Sequence, residues 1–232
     1  MNMPIDIKIC GLSKAESVAA ALAGGASHVG FIFFAKSPRN VTPEKASELA
    51  SGARGSAKIV AVTVDADDAF LDEIVEVLRP DMLQLHGSET PERIGEIKAT
   101  YGLPVMKAIA IREAADLGKI DTYSGVADRL LLDAKPPAGA DLPGGNGIAF
   151  DWTLLTALDP DIDYMLSGGI SLANLRAALD IHPRGIDVSS GVESVPGVKH
   201  DNLIRRFLAE AKRLEAISGK VEAGFPSEIA IK

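Results

Sequence analysis

The chain has 232 residues, a net charge of −8 and 47% apolar residues. That acidic balance argues against a nucleic-acid or anionic-membrane partner, since phosphate surfaces demand basic stripes, but it leaves small anionic ligands open through local backbone N–H groups. The one cysteine, Cys10, cannot form an internal disulfide, and no apolar run approaches the roughly 20 residues of a membrane span, so a soluble protein of a reducing, cytoplasmic compartment is expected.

Met1-Asn2-Met3-Pro4 leads directly into a strand rather than a signal peptide. From there short β-branched runs alternate with windows of helical spacing. Strands are predicted at 5–10, 28–33, 58–64, 82–86, 105–110, 130–133, 164–167 and 185–189. Helices are predicted at 14–23, 43–50, 67–78, 91–100, 172–179 and 202–214, with only a short stretch at 152–158 for the sixth unit. Thr42-Pro43-Glu44 and Thr90-Pro91-Glu92 each set a capping hydroxyl before a proline in the first turn. Repeated βα units without a linker predict an α/β fold, a single (β/α)8 TIM barrel over 1–217, with a loosely docked extension at 218–232. The rival open sheet would carry Gly-x-Gly-x-x-Gly after its first strand, and Cys10-Gly11-Leu12-Ser13 is not that.

Chemistry in such barrels sits at the C-terminal ends of the strands. Cys10 ends the first strand, with Lys8 on the same alternation and Gly11 leaving room for a ligand. It is either a small buried apolar residue or a base whose pKa is lowered towards neutrality by nearby cations. Asp133 ends the sixth strand and is either a rim carboxylate, with a salt bridge to Lys135 as the bland alternative, or a positioned acid, since a desolvated carboxyl can hold a proton at neutral pH. Ser167-Gly168-Gly169-Ile170 and Ser189-Ser190-Gly191 follow strands seven and eight, where barrels commonly hold phosphate on backbone N–H groups. Arg39, after strand two, is a surface residue or a carboxylate fork. His86 ends strand four and either lines the site or orients a neighbour. Asp187 alternates with Ser189 towards the barrel mouth. His28, His182 and His200 have no ligand spacing, and neither a metal nor a cofactor is expected. The Pro- and Gly-rich segment 136–147 reads as a mobile lid or a floppy surface insertion. A base facing an acid over a phosphate site is what an aldose–ketose isomerase of sugar phosphates needs.

In this order the motifs resemble the phosphoribosylanthranilate isomerase family of tryptophan biosynthesis. They are Lys8-Ile9-Cys10-Gly11, Gly30-Phe31-Ile32-Phe33 leading to Ser37-Pro38-Arg39, Gln84-Leu85-His86-Gly87, and Leu132-Asp133. Gly144-Gly145-Asn146-Gly147 with Phe150-Asp151-Trp152, Ser167-Gly168-Gly169-Ile170, and Asp187-Val188-Ser189-Ser190-Gly191-Val192-Glu193 complete the set. The resemblance covers nearly the whole chain, although Ala138-Gly139-Ala140-Asp141-Leu142-Pro143 makes the lid longer than a minimal one. It implies an Amadori rearrangement with Asp133 as acid and Cys10, as thiolate, the base. It further implies Arg39 on the anthranilate carboxylate, and Gly168, Gly169, Ser189, Ser190 and Gly191 on the phosphate. His86 and Asp187 count among the substrate-binding candidates, and a monomer or homodimer is expected. The rivals are the related isomerase of histidine biosynthesis, expected to carry a carboxylate on strand one, and a silent phosphate-binding barrel.

Overall fold

The computed structural model describes residues 5–135, 144 and 149–222. Its strands are β1 (Asp6–Cys10), β2 (His28–Phe33), β3 (Lys58–Thr63), β4 (Met82–Leu85), β5 (Val105–Ile111), β6 (Arg129–Ala134), β7 (Tyr164–Leu166) and β8 (Gly185–Val188). They pair in sequence order as a closed parallel barrel, shut by β1 against β8 with Ile9 opposite Val188. Around it run α1 (Ala15–Gly24), α2 (Pro43–Ala50), α3 (Asp68–Leu78), α4 (Pro91–Tyr101), α5 (Gly118–Ser124), α6 (Leu175–Leu179) and α7 (Asp201–Glu222). A small hairpin, β9 (Glu193–Val195) and β10 (Val198–Lys199), follows β8.

Strand alternation explains both layers of the core. One parity, including Ile7, Ile9, Phe31, Leu83, Leu130 and Leu132, points outward and packs beneath the helices. The other, including Cys10, Val60, Val62, Met106, Leu131 and Met165, fills the barrel. Cys10 shares that inward parity, and Asp133 shares it with Leu131, so thiol and carboxyl stand inside the same rim. Helix starts follow the caps: Thr42 Oγ1 accepts from the Lys45 N–H, Thr90 Oγ1 from the Arg93 N–H and Asp67 Oδ1 from the Phe70 N–H.

Three features depart from the sequence expectation. The segment after β5, given no helix, forms a 3-10 turn over Ala114–Leu117 that runs into α5. Asp116 holds that turn by accepting the Arg112 and Glu113 N–H groups. The seventh-unit helix starts at Leu175 rather than 172, because Asn174 Oδ1 takes the Ser171 N–H and its amide reaches the Gly169 carbonyl, which keeps those residues in a turn. The hairpin β9–β10 had no counterpart among the predicted strands. For the sixth unit the short stretch is a 3-10 helix, Trp152–Ala157. Helix α7 runs to Glu222; the remainder of the expected extension, 223–232, lies outside the described residues, as does the expected lid at 136–147 apart from Gly144. None of the described helices is long and apolar enough to cross a membrane.

Candidate active site

At the C-terminal mouth of the barrel lies a cleft of about 680 Å³, open to solvent. Cys10 and Asp133, five strands apart one way and three the other, both line it.

Cys10 is 5% exposed and faces Gly30 across the β1–β2 ladder. A β-carbon on Gly30 would stand 3.0 Å from Cys10 Sγ and 3.2 Å from Lys8 Nζ, so the bare glycine leaves the space in which thiol and ammonium meet. Lys8 Nζ donates to Asp187 Oδ1 at 2.7 Å, and Ser167 Oγ to Asp187 Oδ2 at 3.2 Å. Burial pushes the Cys10 thiol up; Lys8 pulls it back, Asp187 adds to the rise and Lys199 opposes it. The expectation that rim cations lower this thiol is therefore corrected: the cations are present, but desolvation of the thiolate outweighs them.

Across the cleft, Asp133 Oδ1 accepts the Ala134 N–H at 2.9 Å, which orients the carboxyl, and Oδ2 lies 3.2 Å from His86 Nε2. Gln84 Nε2 meets His86 Nδ1 at 3.0 Å, and the two ring nitrogens are thereby committed to different partners. His86 thus both lines the cleft and orients a neighbour. Lys135 turns away to Asp116, 3.2 Å distant, and makes no salt bridge with Asp133.

Gly168 and Gly169 adopt positive φ, +85° and +68°, in the loop after β7, and with Ser167, Ser189 and Ser190 they form a small-residue edge of the cleft. A β-carbon on Gly168 would reach within 2.5 Å of the Ala134 nitrogen, so only glycine lets this loop lie against the end of β6. Gly191 does not line the cleft. It packs behind, where a β-carbon would fall 2.0 Å from the Ile170 carbonyl oxygen, and it bridges to Ser171.

Arg39 is no solvated surface residue: it is 3% exposed, lines the cleft and donates from Nε and Nη2 to Glu193 Oε1 and Oε2 at 2.7 and 2.9 Å. Its stem crosses Gly11, φ +75°, where a β-carbon would sit 2.6 Å from Arg39 Cδ. Ile32, Phe34, Val62 and Val64 make an apolar wall in the same cleft. Among the described residues no His, Cys, Asp and Glu cluster could hold a metal ion.

The family described as N-(5'-phosphoribosyl)anthranilate (PRA) isomerase matches residues 7–210. The N-(5'-phosphoribosyl)anthranilate isomerase of Rhizobium meliloti is 64% identical over 215 residues, covering 92% of this chain and all (100%) of that one. The chain belongs to the PRA isomerase family. Among solved structures, the phosphoribosyl anthranilate isomerase of Thermotoga maritima superposes with a TM-score of 0.81 at 31% identity, over 90% of this chain and 99% of that one. A phosphoribosyl anthranilate isomerase in complex with reduced 1-(o-carboxyphenylamino)-1-deoxyribulose 5-phosphate gives 0.78 at 29% identity, again over 90% and 99%.

As a PRA isomerase the chain is an enzyme of tryptophan biosynthesis, which removes both rivals, the histidine-pathway isomerase and the silent barrel. Every cleft residue named above falls inside the matched span. Sequence reasoning missed three residues that build this PRA isomerase cleft. Gln84 stood in a quoted motif without a role, although its parity on β4 put it inside the barrel. Glu193 stood at the end of another, and only folding back of the hairpin brings it to Arg39. Lys199 had no signal, because its short strand shows no periodicity.

Proposed function

We propose that Cys10 and Asp133 are the base and acid of the aldose–ketose (Amadori) rearrangement of N-(5'-phosphoribosyl)anthranilate to 1-(2-carboxyphenylamino)-1-deoxy-D-ribulose 5-phosphate. Asp133 gives its proton to the furanose ring oxygen as the C1′–O bond breaks, and the anthranilate nitrogen lone pair forms the protonated imine. The Cys10 thiolate then takes the C2′ proton, and the C–H electron pair becomes the C1′=C2′ bond of an enolamine while the imine charge is neutralised. Tautomerisation to the ketose adds a proton at C1′ and removes one from the 2′-hydroxyl, which returns both side chains to their starting states. Positioned transfers of this kind contribute typically 10²–10⁴-fold each.

The single observation behind this reading is the convergence of an inward thiol and an inward carboxyl, from β1 and β6, on one cleft. Its other residues suit the remaining substrate groups. Arg39 is the fork for the aryl carboxylate beside the apolar wall of Ile32, Phe34, Val62 and Val64, which suits a ring. The Gly168-Gly169 and Ser189-Ser190 loops offer backbone to the phosphate, whose remote binding orients the sugar. His86 steadies Asp133, and Asp187 faces the sugar hydroxyls. The reaction runs in the cytoplasm, in a monomer or homodimer, without a cofactor.

The test is turnover of Cys10→Ser and Asp133→Asn with freshly made substrate. Each is expected to lose at least about 100-fold in kcat with an unchanged circular dichroism spectrum. Near wild-type turnover in either variant removes that residue from the mechanism.

A further inference from the structure

Arg39, Glu193 and Lys199 form one buried chain of charges, with side chains 4%, 3% and 1% exposed. Glu193 already takes the Nε edge of Arg39 in a forked pair. Lys199 Nζ donates to the same carboxylate, Oε1, at 2.6 Å, and to the Ser189 carbonyl and hydroxyl oxygens at 3.0 and 3.1 Å. The Gly197 N–H donates to Glu193 Oε2 at 3.1 Å. Hairpin β9–β10 thus reaches in two directions: to the Arg39 loop after β2, where a β-carbon on Gly197 would lie 2.7 Å from the Pro38 carbonyl, and to the Ser189 loop after β8.

The charges decide what this arrangement is for. An arginine neutralised by a buried glutamate presents no net charge to an anion. Lys199 brings a second cation to the same carboxylate. Buried cations interact strongly with an anion that comes to share them. Both loops that the chain of charges touches line the cleft.

The geometry points to Glu193 and Lys199 as positioning residues that act as one strut between the two anionic ends of the substrate. Glu193 fixes the plane of the Arg39 guanidinium for the aryl carboxylate, and Lys199 ties that pair to the Ser189 loop. Carboxylate and phosphate are then received at a set separation, which orients the sugar between them. Neither residue touches the reacting atoms. The inference rests on the carboxylate role of Arg39 and the phosphate role of the Ser189 loop proposed above.

The experiment is competitive inhibition of turnover by free anthranilate and by inorganic phosphate, measured separately. In Lys199→Met both inhibition constants rise at least fivefold and the loss of kcat/KM falls on KM rather than kcat, while Lys199→Arg recovers both constants to within about twofold of wild type. Glu193→Gln, isosteric and with its folding checked by circular dichroism, weakens anthranilate at least fivefold and leaves phosphate within twofold. Unchanged inhibition constants with a lowered melting temperature overturn the strut and leave a structural anchor. Tighter anthranilate binding in Glu193→Gln overturns it too. Arg39→Ala separates the underlying reading: full anthranilate affinity in that variant ends the carboxylate role and the strut together, whereas a normal loss there with unaffected Lys199→Met ends the strut alone.

Discussion

Lys8 Nζ lies 2.7 Å from Asp187 Oδ1, with side chains 0% and 6% exposed, and the Cys10 thiol competes for the same ammonium. Burial alone would favour neutral Lys8, but Asp187 and Cys10 outweigh it and hold the lysine charged. The rate depends on the thiolate fraction, so the acid limb of the pH profile reports this contest. In Lys8→Met the thiol, already raised by burial, rises further. The limb of kcat/KM shifts to higher pH, and alkylation of Cys10 by iodoacetamide at neutral pH slows. Asp187→Asn removes the charge that opposes the thiolate and should speed alkylation. Matching signs in the two variants would contradict this electrostatic account.

Gly30→Ala tests the space around the thiol. Its β-carbon would stand 3.0 Å from Cys10 Sγ and 3.1 Å from Lys8 Cε, contacts that two side chains can relieve by shifts of a few tenths of an ångström. The expected stability loss is at most about 1–3 kcal/mol. Turnover should fall at least about tenfold, because a displaced base loses its near-attack position. Wild-type kcat would mean that the thiol position is not critical.

The barrel was legible because its strands are short β-branched runs whose alternation sorts residues inward and outward. Residues 43–50 were bounded correctly because Thr42 and Pro43 mark the start chemically. Cys10 and Asp133 could be read from parity and position at strand ends. Segment 114–124 could not, since Ile120 is its one buried apolar residue and carboxylate-to-backbone bonds from Asp116 hold its first turn rather than a buried stripe. The direction of the Cys10 shift was illegible for a different reason. Lys8 was visible, but its competition with desolvation and with Asp187, 179 positions away, depends on distances that only the closed barrel supplies.

Lys107 points outward from β5 and closes a clasp under the turn that carries His86. Its ammonium donates to the Gly87 carbonyl at 2.7 Å and the Leu85 carbonyl at 3.3 Å, and pairs with Glu89 Oε2 at 2.8 Å. Lys107→Met leaves a buried carboxylate without its cation, a defect of about 3–5 kcal/mol. For a domain of this size that lowers the melting temperature by roughly 6–20 °C. kcat should fall as well, because His86 is no longer held against Asp133. Glu89→Gln keeps an acceptor for the Asp65 and Gly87 N–H groups and should cost less. Calorimetry and turnover on both variants check the order.

At the opposite, N-terminal end of the barrel, His28 is 1% exposed, its Nδ1 lies 2.8 Å from Ser27 Oγ, and its Nε2 has no hydrogen-bond partner among the described residues. Burial, aided by Arg129 and opposed by Asp6, holds the imidazole down at about 4. Between that value and the ordinary 6.5 the unfolded chain binds more protons than the native one, so stability rises with pH across this window. The contribution is complete above 6.5 and is lost as pH falls towards 4, with a ceiling of about 3 kcal/mol. Asp6, which Arg129 and His28 lower against burial, contributes in the opposite sense to a raised group: its part is present above the usual carboxylate range and disappears only in stronger acid. Thermal melts should therefore soften from pH 6.5 downward, well before the carboxylates titrate. His28→Leu, which removes the proton site and the unpartnered nitrogen, should flatten that slope and leave the steeper loss below pH 4. An equal slope between pH 6.5 and 4 in the two proteins would assign the acid sensitivity to other groups.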